Sequence, residues 1–210
     1  MPETTVRKPS RIQLRNRKRI MEAALEVFSR HGYRGATLDQ IAEAAGMSKP
    51  NLIYYFDGKE AIHVALLSKL MEEWLAPLAE MDPAGIPLEE VIGYVRRKME
   101  MSRAYPSESR LFANEIIQGA PRMRPHLESD LKPLFDEKCA LIAEWMAEGR
   151  LAKSDPAQLI LSIWAITQHY ADFDAQIRVL VPGEASGWDA ANAHVETLFR
   201  KLLTPETTSA

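Results

Sequence analysis

Lys49, Asn51 and Tyr54 point outward from one short predicted helix, a polar and aromatic face of the kind a helix-turn-helix lays in the DNA major groove. The chemistry suits that task. An ammonium neutralises phosphate, and an amide such as that of Asn51 pairs bidentately with adenine. Ser48 and Pro50 flank these residues and belong to the same candidate surface. An ordinary helical hairpin with solvated charges would share the turn, so the elements around it have to be read as well.

Two helices and a tight turn must position that face. Thr37 is an N-cap, and Gln40 three residues later completes a capping box. Leu38, Ile41, Ala42 and Ala45 follow at i, i+3, i+4, i+7 as one apolar stripe. Gly46 tolerates positive φ where this helix must stop. Ser48 caps the next helix, and Pro50 sits in its first turn, where an amide has no partner to lose. Leu52, Tyr55 and Phe56 form its inward face, and residues 57–60 carry a fresh start signal.

Charge separates the two readings. Residues 1–60 hold eleven basic side chains against seven acidic ones, whereas 61–210 hold fifteen against twenty-two. Arg7, Lys8, Arg11, Arg15, Arg17, Lys18 and Arg19 face a single acid, Glu3, within residues 1–20. A basic arm running into a helix-turn-helix is what phosphate neutralisation requires. The bland alternative is a solvated tail.

A chain of 210 residues, 46% hydrophobic, is long enough to bury a core in one or two small domains. No apolar run approaches the ~18 residues of a membrane span, and no apolar segment follows the N-terminal charges as in a secretory signal. The single cysteine, Cys139, allows no intrachain disulfide and fits a reducing cytoplasm. The histidines lack metal-ligand spacing, so neither metal nor cofactor is expected.

The periodicity predicts an all-α chain of nine helices. A basic arm over 1–13 precedes a DNA-binding domain over 14–60, an effector and dimerisation domain over 61–204, and a loose tail over 205–210. The first helix spans 14–31, with Ile20, Ala24, Val27 and Phe28 inward, and the fourth carries Trp74 before a kink or stop at Pro77. A long helix is expected over 123–148. Asp155 and Pro156 start another that is apolar over most of its circumference through Phe173, and a last one covers 188–203. A helix apolar all round is central to a large core or covered by a partner. In so short a chain a second subunit is the economical answer, with Ile166, Tyr170, Phe173, Leu198 and Leu202 in a two-fold interface.

The residues now carry a family likeness. An alanine-rich helix ending in Phe28-Ser-Arg-His-Gly-Tyr33 leads to Thr37-Leu-Asp-Gln-Ile-Ala42, then Gly46-Met-Ser-Lys49, then Tyr55-Phe56-x-x-Lys59-Glu60. This stretch, 20–66, resembles the DNA-binding domain of TetR-family regulators. Trp74-Leu-Ala-Pro-Leu78, Tyr105-Pro-x-x-Ser-Arg-Leu-Phe112, Gly119-Ala-Pro121, Asp136-Glu-Lys138 and the run from Ile163 to Phe173 resemble the pyrimidine-utilisation regulators of that family. The resemblance implies a dimeric helical repressor of operator DNA, released by uracil or thymine. It also implies phosphate contacts from Lys59 and from Thr37 at its helix N-terminus, which the physics of anions at helix N-termini supports independently. The phosphate-contacting tyrosine of many members stands where this chain has Ile53, so that role passes to Tyr54.

A uracil-sized effector is flat, neutral and edged with imide donors and acceptors. Gln168 offers one donor and one acceptor in a plane, and Trp164 lies one turn earlier on the same face. Trp74 and Phe112 supply candidate walls, Ser109 a hydroxyl, and Glu115 a carboxylate that an ion pair would otherwise occupy. Competing readings are a TetR-type repressor of a different, hydrophobic effector, a helical enzyme, or an interaction module without DNA binding. No nucleophile elbow, P-loop or dinucleotide fingerprint appears, so no enzyme is expected.

Overall fold

The computed structural model describes residues 10–181 and 186–205, and every element among them is helical. The arm residues Arg7 and Lys8 and the tail after 205 lie outside the described residues. The chain divides into two units between Leu67 and Ser68, a little beyond the boundary expected at residue 60. The shift has a packing cause. The first turns of α4 (Lys59–Ala79) bury Ile62, Leu66 and Leu67, and His63 sets its ring against Phe28 at 4.9 Å and Tyr33 at 4.8 Å.

The first unit is built on α1 (Arg11–Gly35), α2 (Leu38–Ala44) and α3 (Lys49–Tyr55). Helix α1 starts at Arg11 rather than Leu14, so Arg11 to Gln13 are helical and not part of a flexible arm. Ser10 and Gln13 form a complete capping box there, a signal that lies ahead of the apolar stripe. Gly32 breaks the helix at φ 65°, and a last turn then runs to Gly35. Ile20, Ala24, Val27 and Phe28 are buried as their spacing requires, together with Ile41, Ala42, Ala45, Leu52 and Phe56. Each large apolar side chain so buried contributes ~1.5–3 kcal/mol.

The second unit packs α5 (Pro87–Ala104), α8 (Lys132–Ala147), α9 (Pro156–Asp172) and α11 (Ser186–Leu203) around one core, with α6 (Pro106–Ile117) against α9. Val91, Val95, Met99, Trp145, Ile163, Val195 and Phe199 are among its buried members. Asp155 caps α9 by accepting from the Gln158 amide at 3.0 Å, with Pro156 at the first helical position.

Three expectations need correcting. The long helix over 123–148 is α7 (Arg124–His126), a π-helical segment (Leu127–Leu131) and α8 in succession. Helix α9 stops at Asp172, because Phe173 leaves helical geometry at φ −110°, ψ 23°, and α10 (Asp174–Leu180) follows as a separate element that the count of nine omitted. Pro77 neither kinks α4 sharply enough to divide it nor ends it at once, since the helix continues to Ala79. Near a C-terminus the amide lost to proline is one of the last of the ladder.

Candidate nucleic-acid interface and effector site

Local capping builds the recognition face. The Thr37 hydroxyl accepts from the Gln40 amide at 3.2 Å, and the Gln40 side chain accepts in return from the Thr37 amide at 2.9 Å. The turn after α2 needs φ +59° at Gly46, where an added Cβ would stand 2.3 Å from the Arg19 guanidinium. That guanidinium donates to the Gly46 carbonyl at 3.3 Å, so it belongs to the turn. Ser48 accepts from the Asn51 amide at 3.4 Å and starts α3.

The side chains divide into those left open and those already engaged. Pro50, Asn51 and Tyr54 are exposed, and Arg15 is exposed on α1. Lys49 reaches back to Asp39 at 2.9 Å, an exposed pair that a competing phosphate can replace at little cost. Tyr55 is half-buried and accepts from Asn16 Nδ2 at 2.7 Å. Arg17 donates to the Tyr55 carbonyl at 2.7 Å and covers the Phe56 ring at 4.1 Å. Asn16 and Arg17 therefore clamp α3 to α1, and Arg19 ties the turn before α3 to the same helix. In sequence the two arginines read only as part of a basic arm, and contacts 27 to 39 residues long leave no local signal. Lys59 donates to the carbonyls of Tyr33 and Ala36 at 2.7 and 2.8 Å, closing the end of α1.

In the second unit the structure brings some predicted effector residues together and separates others. Trp74 is buried and lies 5.9 Å from the Phe112 ring. Ser109 is buried and donates to Asp172 at 2.6 Å. The Trp164 indole donates to the buried Tyr94 hydroxyl at 2.5 Å and packs on Phe135, so its N–H is taken within the core. Glu115 accepts from the Arg122 amide and guanidinium at 2.8 and 3.1 Å, committing its carboxylate to the turn at Gly119 and Ala120. Gln168, half-buried, makes no side-chain hydrogen bond among the described residues.

Sequence reasoning missed two residues. Lys98 is 4% exposed, its ammonium 5.0 Å from the Trp74 ring. Burial pulls its pKa down to about 8, partly countered by Asp172. Asp172 is raised by burial, against the Ser109 hydrogen bond and the charges of Arg110, Lys98 and His169. The available signal was a lysine inside the apolar stripe of Val91, Val95 and Met99.

The expected interface residues also divide. Ile166 and Tyr170 pack on their own unit's core, Tyr170 with Trp188 at 5.8 Å. Phe173, Leu198 and Leu202 remain exposed, at 54%, 41% and 48%. Helix α11 thus has two apolar faces, with Val195 and Phe199 inside and Leu198 and Leu202 outside.

A capped helix-turn-helix joined to a separate all-helical unit defines a DNA-binding transcription regulator. Residues 20–66 match the family described as bacterial regulatory proteins, tetR family, and residues 67–206 match the YcdC-like protein, C-terminal region. The chain belongs to the TetR family. It is 49% identical over 199 residues to the HTH-type transcriptional regulator RutR of Escherichia coli K12, covering 95% of this chain and 94% of that one. Among solved structures it is similar to the putative transcriptional regulator SCO4942 of Streptomyces coelicolor, with TM-score 0.72 and 25% identity over 90% of this chain and 99% of that one. A tetR-family regulatory protein from Rhodococcus RHA1 shares the fold at TM-score 0.76 and 17% identity, covering 95% and 100%. No helix among the described residues is long and apolar enough to cross a membrane.

Proposed function

We propose that this regulator is a homodimeric repressor acting in the cytoplasm on genes of pyrimidine breakdown, and that uracil or thymine releases it from operator DNA. Gln168 carries the effector reading. Its amide has no hydrogen-bond partner among the described residues, in a unit whose buried aromatic side chains include Trp74. A half-buried amide with no protein partner is available to a ligand with complementary polar edges, and an imide has them. The similarity to RutR over nearly the full length supports the same reading. A purely hydrophobic effector would leave this amide unsatisfied, which disfavours the alternative.

The exposed Phe173, Leu198 and Leu202 support a two-fold dimer, whose recognition helices would read half-sites ~34–36 Å apart. Release of DNA requires that the effector bind the DNA-free geometry better than the DNA-bound one. The coupling is then reciprocal, and each tenfold loss of operator affinity needs ~1.4 kcal/mol of differential binding. Helix α4 is the natural conduit, since it begins at Lys59 in the first unit and carries Trp74 in the second.

Calorimetry of the purified protein with uracil, thymine and cytosine tests this. The expected result is saturable binding at one site per protomer that prefers the two imides, with Gln168→Ala weakening it ~10-fold or more. Absence of uracil binding at millimolar concentration would leave a TetR-family regulator with some other effector.

A further inference from the structure

Lys98 is an unusual residue to find in this core. It is 4% exposed, has no hydrogen-bond acceptor among the described residues, and rests its ammonium against the face of Trp74. Asp172, half-buried at the end of α9, is the opposite charge whose field acts on it, yet the two form no ion pair among the described residues. A cation on a buried side chain and a half-buried carboxylate that do not touch are costly to the folded protein, because each gives up part of its water without gaining the other. Ser109, 1% exposed, fixes the carboxylate by donating to one of its oxygens and leaves the other open. The Trp74 and Phe112 rings stand beside this arrangement. Helix spacing adds Gln168, one turn before Asp172 on the same face of α9.

We propose that Lys98 and Asp172 are the recognition pair of the effector site, the ammonium donating to a ring carbonyl and the carboxylate accepting the neighbouring ring N–H of a flat cyclic amide or imide lying against Trp74 and Phe112. This rests on the pyrimidine reading above and adds the groups that would enforce it. A ligand with a carbonyl next to an N–H supplies an acceptor and a donor to the two unpaired charges at once. Hydrogen bonds to ionised groups are the stronger kind, so the pair would hold more of the affinity than Gln168 does. An apolar ligand would leave both charges unmet, which gives the site its selectivity.

The test uses the full chain, with uracil, 1-methyluracil and 3-methyluracil as probes for calorimetry, and thermal melts without ligand. Wild type should bind uracil and lose one of the two methylated compounds, since a methyl blocks the N–H that meets Asp172. Lys98→Met should weaken uracil binding ~10–100-fold. It should also leave the ligand-free melting temperature unchanged or raise it by a few degrees, because it removes a buried unpaired charge. Asp172→Asn, which keeps the shape and the Ser109 contact, should weaken uracil binding ~10-fold or more. Wild type that binds no pyrimidine overturns the functional reading and this pair with it. Wild type that binds uracil, with both variants binding equally well, overturns the pair alone. A lower melting temperature for Lys98→Met with unchanged affinity marks the lysine as structural and likewise overturns the proposal.

Discussion

The two units differ in how fully they engage the polar side chains that lie against their cores. In the helix-turn-helix unit the polar groups close the structure on itself. Thr37 with Gln40, Ser10 with Gln13, Asn16 with Tyr55 and Lys59 with two carbonyls are all satisfied within the unit. In the helical unit the buried Lys98 and the half-buried Gln168 make no side-chain hydrogen bond among the described residues. The difference suits the proposed tasks. A surface that meets DNA needs rigid presentation, and its ligand arrives from outside. A site that meets a small molecule has to hold its donors and acceptors in reserve.

That comparison can be broken most forcefully at Leu52, fully buried on the inner face of the recognition helix. Leu52→Ala should cost about 2–5 kcal/mol of stability and abolish operator binding in a fluorescence-anisotropy titration. Calorimetric effector binding should survive at temperatures where the second unit stays folded; its loss would show that the units do not behave separately.

The second effect is in pH. Lys98 has a folded pKa of about 8 against 10.5 unfolded, so between those values the unfolded chain holds the proton that the folded one has released. Its contribution to stability therefore rises with pH across that window, by about 3 kcal/mol in full. Melts of wild type and Lys98→Met at successive pH values should show a gap favouring the variant near pH 7 that closes as pH rises above 8. A gap independent of pH would remove Lys98 as a buried titrating group.

Thr37→Ala sharpens the other side. Losing one capping hydroxyl should cost about 1 kcal/mol by denaturant melting, with operator affinity falling by a similar factor and effector affinity unchanged. The smallest effect belongs to Glu196, which accepts from Arg96 at 2.6 Å and from Arg200 at 2.9 Å, the latter also pairing with Glu89. These guanidinium hydrogen bonds hold its pKa down, to about 2. Glu196→Gln should nevertheless change stability by less than about 1 kcal/mol, and less still in high salt, because the network faces solvent.

The same contrast sets how much could be read from the sequence. The caps at Thr37, Ser48 and Asp155 join residues three apart, so a one-dimensional pattern contains both partners. The buried stripes of α1 and α5 follow from periodicity for the same reason. Ser109 with Asp172 and Trp164 with Tyr94 are 63 and 70 residues apart, and no pattern announces them. Trp164 was read as facing a ligand because its helical face was known while the partner across that face was not. Glu115 shows the converse, since the ion pair that competed with its candidate role is seven residues away and is formed. The break at Phe173 escaped because the apolar run continues through it and carries no proline or glycine.

The outer face of α11 would have a consequence for the cell. Leu198 and Leu202 are exposed, and if they form the proposed dimer interface, assembly on that face obeys mass action. Where the protomer is scarce relative to the dimer's dissociation constant, the concentration of operator-competent dimer scales with the square of protomer concentration. Halving the gene's output would then cut promoter occupancy about fourfold in the unsaturated range. The regulator's dosage would become an input alongside its effector, and the threshold would be set by two leucines far along the chain from the recognition helix.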